Sequence, residues 1–304
     1  MTHDHHHHHG HHPGAARADN RLRLACTLGL TLAYMVAEIV GGYMADSLSL
    51  LADAGHMFSD AAGLGLSLFA AWIAGRPPTP QHSYGYYRAE ILAALANGAM
   101  LIAISILILI EAVHRLSAPE EVIGSLMAGI AAGGLLVNII GLWILSAGRS
   151  ESLNMHGAWL HLISDALGSA AALVAGGLVW ALGWQWADPV ASILITVLVV
   201  ISAWNLVKQA IAVLMESTPA HLDVDEVLGA MITAPGVVEV HDLHIWTITS
   251  GMDSLSAHVV LEAGYESHAA LDGLRAVLHD RFAIDHITIQ VDAAGESECR
   301  SSFS

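Results

Sequence analysis

Two cysteines in 304 residues set the first limit on this chain. Cys26 lies in an apolar stretch and Cys299 near the end, and neither belongs to a CxxC pair. A disulfide framework and an all-cysteine zinc site are therefore excluded. Charge is scarce as well. Asp, Glu, Lys and Arg make up 13% of the chain, against about 25% in an ordinary soluble domain. Basic residues are the scarcest: 11 stand against 28 acids, for a net charge of −17, so no nucleic acid is expected as a partner. No HExxH occurs, which removes the sequence mark of a zinc protease.

Apolar sequence fills the space that charge leaves, at 55% of residues. A bilayer crossing needs about 20 apolar residues, and six runs meet that length: Leu22–Val40, Leu48–Ala74, Ala89–Val113, Val122–Ala147, Leu153–Leu182 and Pro189–Leu214. A cleaved signal peptide is the competing reading of the first run, because Arg17, Arg21 and Arg23 precede it. No small-residue cleavage site follows, and five further runs do. With the N-terminus inside, Arg17, Arg21, Arg23, Arg76, Arg88, Arg149 and Lys208 fall on the cytoplasmic side and only Arg115 outside. That asymmetry places both termini in the cytoplasm.

After Leu214 the chain turns polar, with Ser217-Thr218-Pro219 at the boundary. Asp223–Thr233 predicts a short helix with Asp223 or Asp225 near its start. Val237–Ile248 and Ser254–Glu262 predict strands around a Ser250-Gly251 turn. His268–Phe282 has helical spacing, and Ile284–Val291 reads as a last strand. The expected fold is a membrane α-helical bundle of six transmembrane helices plus a small cytoplasmic α+β domain, αββαβ and ferredoxin-like. The domains are a His-rich cytoplasmic tail over 1–20, the bundle over 21–214, the cytoplasmic domain over 215–293 and a flexible tail over 294–304.

Histidine is the compositional outlier, with twenty in all. His3 to His12 is a compositional metal-binding tract, expected to be a disordered collector of metal with low specificity. More telling is an internal repeat. His56-Met57-Phe58-Ser59-Asp60-Ala61-Ala62-Gly63 in the second span matches His161-Leu162-Ile163-Ser164-Asp165-Ala166-Leu167-Gly168 in the fifth at His, Ser, Asp, Ala and Gly. A His and an Asp four residues apart share a helix face, so two such helices offer His56, Asp60, His161 and Asp165 to one ion. Two imidazoles and two carboxylates form a tetrahedral shell that suits zinc. Each Asp at a membrane midplane costs about 2.5–3.5 kcal/mol, and no Lys or Arg in these spans neutralises it. A divalent cation does. The small residues Ala61, Ala62, Gly63, Ala166 and Gly168 would let the two helices approach. Asp53, one turn before His56, either orients a ligand histidine or lies near the membrane surface. Glu38, Asn97 and Asn138 are further polar intrusions, and the asparagines are expected to hydrogen-bond between helices.

Four segments together resemble the cation diffusion facilitator family: Ala52-Asp53-Ala54-Gly55-His56-Met57-Phe58-Ser59-Asp60, His82-Ser83-Tyr84-Gly85-Tyr86-Tyr87-Arg88-Ala89-Glu90, His161-Leu162-Ile163-Ser164-Asp165, and Val240-His241-Asp242-Leu243-His244-Ile245-Trp246. The resemblance covers about residues 20 to 292 and is closest to the zinc-transporting members. It implies a homodimeric metal/proton antiporter, not an enzyme, in a bacterial inner membrane. Zn²⁺ is then substrate and regulatory ligand, cadmium and cobalt are secondary cargo, and no organic cofactor is needed. Manganese-type members carry aspartate where the two histidines stand. By motif position, His241, His258, His268 and Asp292 match residues that bind metal in the family's cytoplasmic domain. Gln290 departs from a histidine found in some members, which puts a two-metal site in doubt. His82 is either a peripheral metal site or a solvated loop histidine. His114, His221, His244, His279 and His286 are read as non-ligands. A membrane metal sensor and an intramembrane metalloenzyme are the alternatives; the enzyme would need an open coordination position and a general base.

Overall fold

The computed structural model describes residues 13–146 and 153–292. Six long helices come first: α1 (Pro13–Ala45), α2 (Leu48–Ala74), α3 (Ala89–Ser117), α4 (Gly124–Ser146), α5 (Leu153–Leu182) and α6 (Ala187–Leu214). All six contain stretches long and apolar enough to cross a membrane. This is an integral membrane protein. The helices coincide with the six predicted runs, except that α1 begins at Pro13 and continues to Ala45. It thus includes residues 13–20, which sequence alone assigns to the tail. The His3–His12 tract, Arg149, Cys299 and the 294–304 tail lie outside the described residues.

The chain divides into two compact units: Met1–Leu64 with Ala99–Trp204, and Gly65–Gly98 with Asn205–Ser304. In the first, α4 packs closely along α5, and glycines permit it. A Cβ on Gly124 would come 2.5 Å from the Trp180 amide nitrogen, and one on Gly176 would come 2.8 Å from that of Ala128. Where lipid is as apolar as the side chains, such close backbone approach supplies much of the packing energy. Around it lies a core of Met127, Ala131, Ala172, Ala175 and Val179, with Ala45 and Leu50. Small residues again dominate.

One end of this unit is tied by two polar knots. Asp188, fully buried at the start of α6, accepts from Ser47 Oγ (2.7 Å), Leu48 N (2.8 Å), Ser49 N (3.1 Å) and Ser49 Oγ (2.6 Å). It caps the first turn of α2 from another helix, satisfying amides that have no partner inside α2. Arg115 pairs with Asp46 (2.9 Å), Glu111 (3.1 Å) and Glu120 (2.7 Å). Sequence reading counted Arg115 only as a charge outside; its neighbourhood explains how it can be buried.

The second unit holds the C-terminal domain: α7 (Val224–Ile232), β1 (Val237–Thr249), β2 (Met252–Leu261), α8 (Ser267–Phe282) and β3 (His286–Asp292). Its order is the predicted αββαβ. The sheet runs β1-β2-β3, antiparallel between β1 and β2 and parallel between β2 and β3. Asp223 is the N-cap of α7, accepting from the amides of Asp225 and Glu226. The Ser250-Gly251 turn needs a left-handed residue, and Gly251 supplies it at φ 73°. Val227, Met231, Leu255, Val259, Leu274, Leu278 and Ile284 form the core where both helices cover the sheet.

Candidate metal centre

On α2 and α5 the i, i+4 spacing of each His–Asp pair puts two ligands on one helical face, and the structure turns those faces toward each other. His56 Nε2 lies 3.6 Å from Asp60 Oδ2 and 3.7 Å from Asp165 Oδ1. His161 Nε2 lies 3.2 Å from Asp60 Oδ2 and 3.6 Å from Asp165 Oδ2. One ligand atom from each of the four residues lies within 4.8 Å of all the others. Asp165 is buried and its Oδ1 has no hydrogen-bond partner, nor has His56 Nδ1. His161 and Asp60 are more open, lining a cavity of about 410 Å³ bounded by α1, α2, α4 and α5. Its other walls are mostly apolar, among them Leu28, Leu32, Met57 and Leu145, with Thr27 and Thr31 on α1.

Asp53 is buried, 3% exposed, and its Oδ2 accepts from Ser169 Oγ at 3.1 Å. Ser169 in turn accepts from Asn138 Nδ2 at 3.2 Å. The asparagine therefore does bridge two helices, α4 and α5. Gly168 shows why the repeat ends in a small residue: a Cβ there would lie 3.1 Å from Asp53 Oδ1.

A second cluster assembles on the sheet. Antiparallel register sets His241 opposite His258, and parallel register sets His258 beside Gln290 and Val260 beside Asp292. Asp292 Oδ2 lies 2.9 Å from His258 Nδ1 and 3.4 Å from His241 Nε2. The ladder slips immediately after His241, where Asp242 adopts φ 53°. Such a bulge locally re-aims a strand. Gln290 donates to Asp292 Oδ1 at 2.9 Å. The Gln290 amide, then the neighbouring His258, hold the Asp292 carboxyl below its ordinary range.

His268 does not join this cluster. It is exposed on α8, 3.6 Å from Asp272, one turn along the same helix. His82 also stands apart. Its ring stacks on Tyr86 and its Nδ1 lies 3.3 Å from Thr79 Oγ1. Among the five histidines read as non-ligands, His221, His244 and His279 each face an aspartate, namely Asp253, Asp242 and Asp285. Sequence reading missed Asp188 entirely. A signal existed, in an Asp one residue after a helix start paired with a Ser-Leu-Ser at another, but nothing in one dimension joins positions so far apart.

The family model for the cation efflux transmembrane domain matches residues 24–215, and that for the cation efflux protein cytoplasmic domain matches 219–294. The chain belongs to the cation efflux family. This cation diffusion facilitator is 41% identical to the cadmium, cobalt and zinc/H(+)-K(+) antiporter of Bacillus subtilis, over 90% of this chain and 89% of that one. It is 40% identical to the metal cation efflux system protein CzcD of Cupriavidus metallidurans, over 93% and 89%. It is also 40% identical to the zinc transporter ZitB of Escherichia coli, over 90% and 88%. The family is one of transporters, so the metalloenzyme alternative falls.

Proposed function

We propose that this chain exports Zn²⁺ from the cytoplasm in exchange for protons, with Cd²⁺ and Co²⁺ as further cargo. The observation that carries the reading is the convergence of His56, Asp60, His161 and Asp165. Ligand bonds of about 2.0–2.2 Å around a tetrahedral ion imply edges of about 3.3–3.6 Å. The His–Asp separations of 3.2–3.7 Å are of that size, and one ligand atom from each of the four residues lies within 4.8 Å of the others, so small side-chain adjustments complete the shell. Imidazole with carboxylate favours zinc over ions that prefer all-oxygen shells. The names of the relatives, which include zinc, cadmium and cobalt, support the same cargo.

Proton exchange follows from the donor set. Zinc binds neutral imidazole and ionised carboxylate, so loading releases protons and protonation favours unloading. The reading takes residues 21–214 as the transport domain and 215–293 as a cytoplasmic domain that joins two copies. It puts both termini in the cytoplasm, supported by the distribution of basic residues, and the protein in a bacterial inner membrane, supported by the bacterial relatives. His241, His258 and Asp292 form a three-ligand site that senses cytoplasmic zinc. His268 and His82, which join neither cluster, are left out.

The test is zinc flux into proteoliposomes under an imposed pH gradient. The native chain moves zinc in step with the gradient, and Asp60→Ala and Asp165→Ala reduce flux to background while remaining folded. Normal flux in either variant would mean that the quartet is structural.

A further inference from the structure

Among the described residues of the first unit, Glu38 is a buried carboxyl group that neither the fold nor the proposed metal chemistry uses. It lies in the last third of α1, two turns before the helix ends at Ala45, is 1% exposed, and neither of its oxygens has a hydrogen-bond partner. The groups that face it are named readily. Tyr34 precedes it by one turn on α1, and the Tyr34 hydroxyl is engaged by the Ile130 carbonyl. From α4, Gly134 opens a small hollow: a Cβ there would come 2.8 Å from Glu38 Oε1, 3.0 Å from Tyr34 Cε1 and 3.2 Å from Ser169 Oγ. Asn138, also on α4, reaches the same Ser169, which donates to Asp53 of α2. The charged groups whose fields reach Glu38 are Asp53 and Asp165, and both are acidic.

A carboxylate without a partner in a membrane interior is costly enough that such groups neutralise or serve an ion pathway. Nothing cationic on the protein faces this one among the described residues. We infer that Glu38 is a proton-binding site separate from the metal quartet, and that it carries a proton exchanged for the metal. This deepens the transport reading and rests on it. The coupling is electrostatic and built into the helices. Asp53 lies one turn from His56 on α2, and Ser169 one turn from Asp165 on α5. A divalent ion entering the quartet therefore adds positive charge one helical turn from the Asp53–Ser169 pair and lowers the affinity of Glu38 for its proton. The O–H bond of Glu38 breaks, its proton leaves to solvent, and the carboxylate that remains partly balances the new charge. When the metal leaves outward, the carboxylate takes up a proton again. Gly134 has its own part, since any side chain there would occupy the space in front of Oε1.

The experiment counts protons. Zinc is added to the purified full-length protein in weakly buffered detergent, and proton release per bound zinc is measured for the native chain, Glu38→Gln and Glu38→Asp. Asp60→Ala provides the background from other sites. The native chain and E38D release the same number, and E38Q binds zinc at the quartet while releasing one proton fewer. In proteoliposomes, E38Q flux rises less steeply with the pH gradient than native flux does. An unchanged proton count in E38Q overturns the inference, as does flux that follows the gradient as steeply as in the native chain. Should E38Q fail to fold, E38D decides the matter: it must keep the native count, and a lost proton with the carboxyl group retained refutes the site. If the native chain moves no zinc at all, the transport reading itself fails, a result distinct from these.

Discussion

The two histidine–aspartate clusters use the same side chains and are built by opposite means. In the membrane, two helices each contribute a complete His–Asp pair, because i, i+4 spacing puts both on one face. In the cytoplasmic domain, each of three strands contributes one residue, and only the ladder register makes them neighbours. The helical cluster offers four ligands and the sheet cluster three. Four ligands from two helices can be parted by moving one helix against the other, which suits an ion that must leave. Three ligands on hydrogen-bonded strands cannot part without breaking the ladder, which suits an ion that is held.

Predictions follow from trying to break that contrast. The largest effect concerns the membrane site. Asp60→Ala and Asp165→Ala abolish zinc flux, yet each retains zinc binding at the cytoplasmic cluster, seen as a residual stoichiometry in equilibrium dialysis. Loss of both together would mean that the clusters are not independent. The converse pair is His258→Ala and Asp292→Asn. These remove the cytoplasmic binding and leave a measurable flux, with the concentration dependence for cytoplasmic zinc shifted upward.

A mutation away from both clusters tests what holds the helical one. Asp188→Ala leaves two buried serine hydroxyls and two amides without their acceptor. Each buried unsatisfied group costs about 1–3 kcal/mol, so a loss of about 3 kcal/mol or more is expected even after partial relaxation. It should register as a lower Tm in detergent and as weaker zinc affinity, since α2 carries His56 and Asp60. An unaltered Tm would show that the cap is dispensable.

The smallest effect is a pH dependence confined to the sheet. The folded Asp292 carboxyl is held below its ordinary value of 3.8 by Gln290 and His258. A carboxyl depressed in the folded state stabilises it at pH above the unfolded value, and that contribution is lost as pH falls through the folded one. The stability of the native chain should thus fall below about pH 4 more steeply than that of Asp292→Asn. Parallel curves would show that the Asp292 contacts contribute nothing.

Legibility divides along the same line. The six spans, the αββαβ order and the membrane quartet could be read from the chain, because hydrophobic length, strand alternation and the HxxxD repeat are local patterns. His241, His258 and Asp292 were reached only through family motifs, since no spacing in sequence reports sheet register. The same dependence on motif brought in His268, which the fold places one turn from Asp272 and away from the other three. Asp53 was visible as a polar intrusion, but its partner Ser169 lies on another helix, and its role could not be read.

By itself the sequence determined that this is a six-span membrane protein with a small α+β domain, and which four residues could face one another in the bundle. Those properties follow from side-chain periodicity along single elements, where neighbours in space are close in sequence. Tertiary structure decided the rest. It buried Glu38 without a partner, tied Asp188 to the start of α2, set Asp53 on Ser169 and completed the sheet cluster without His268. Each of these joins residues from different elements, and such encounters depend on how helices and strands pack, which no local pattern encodes.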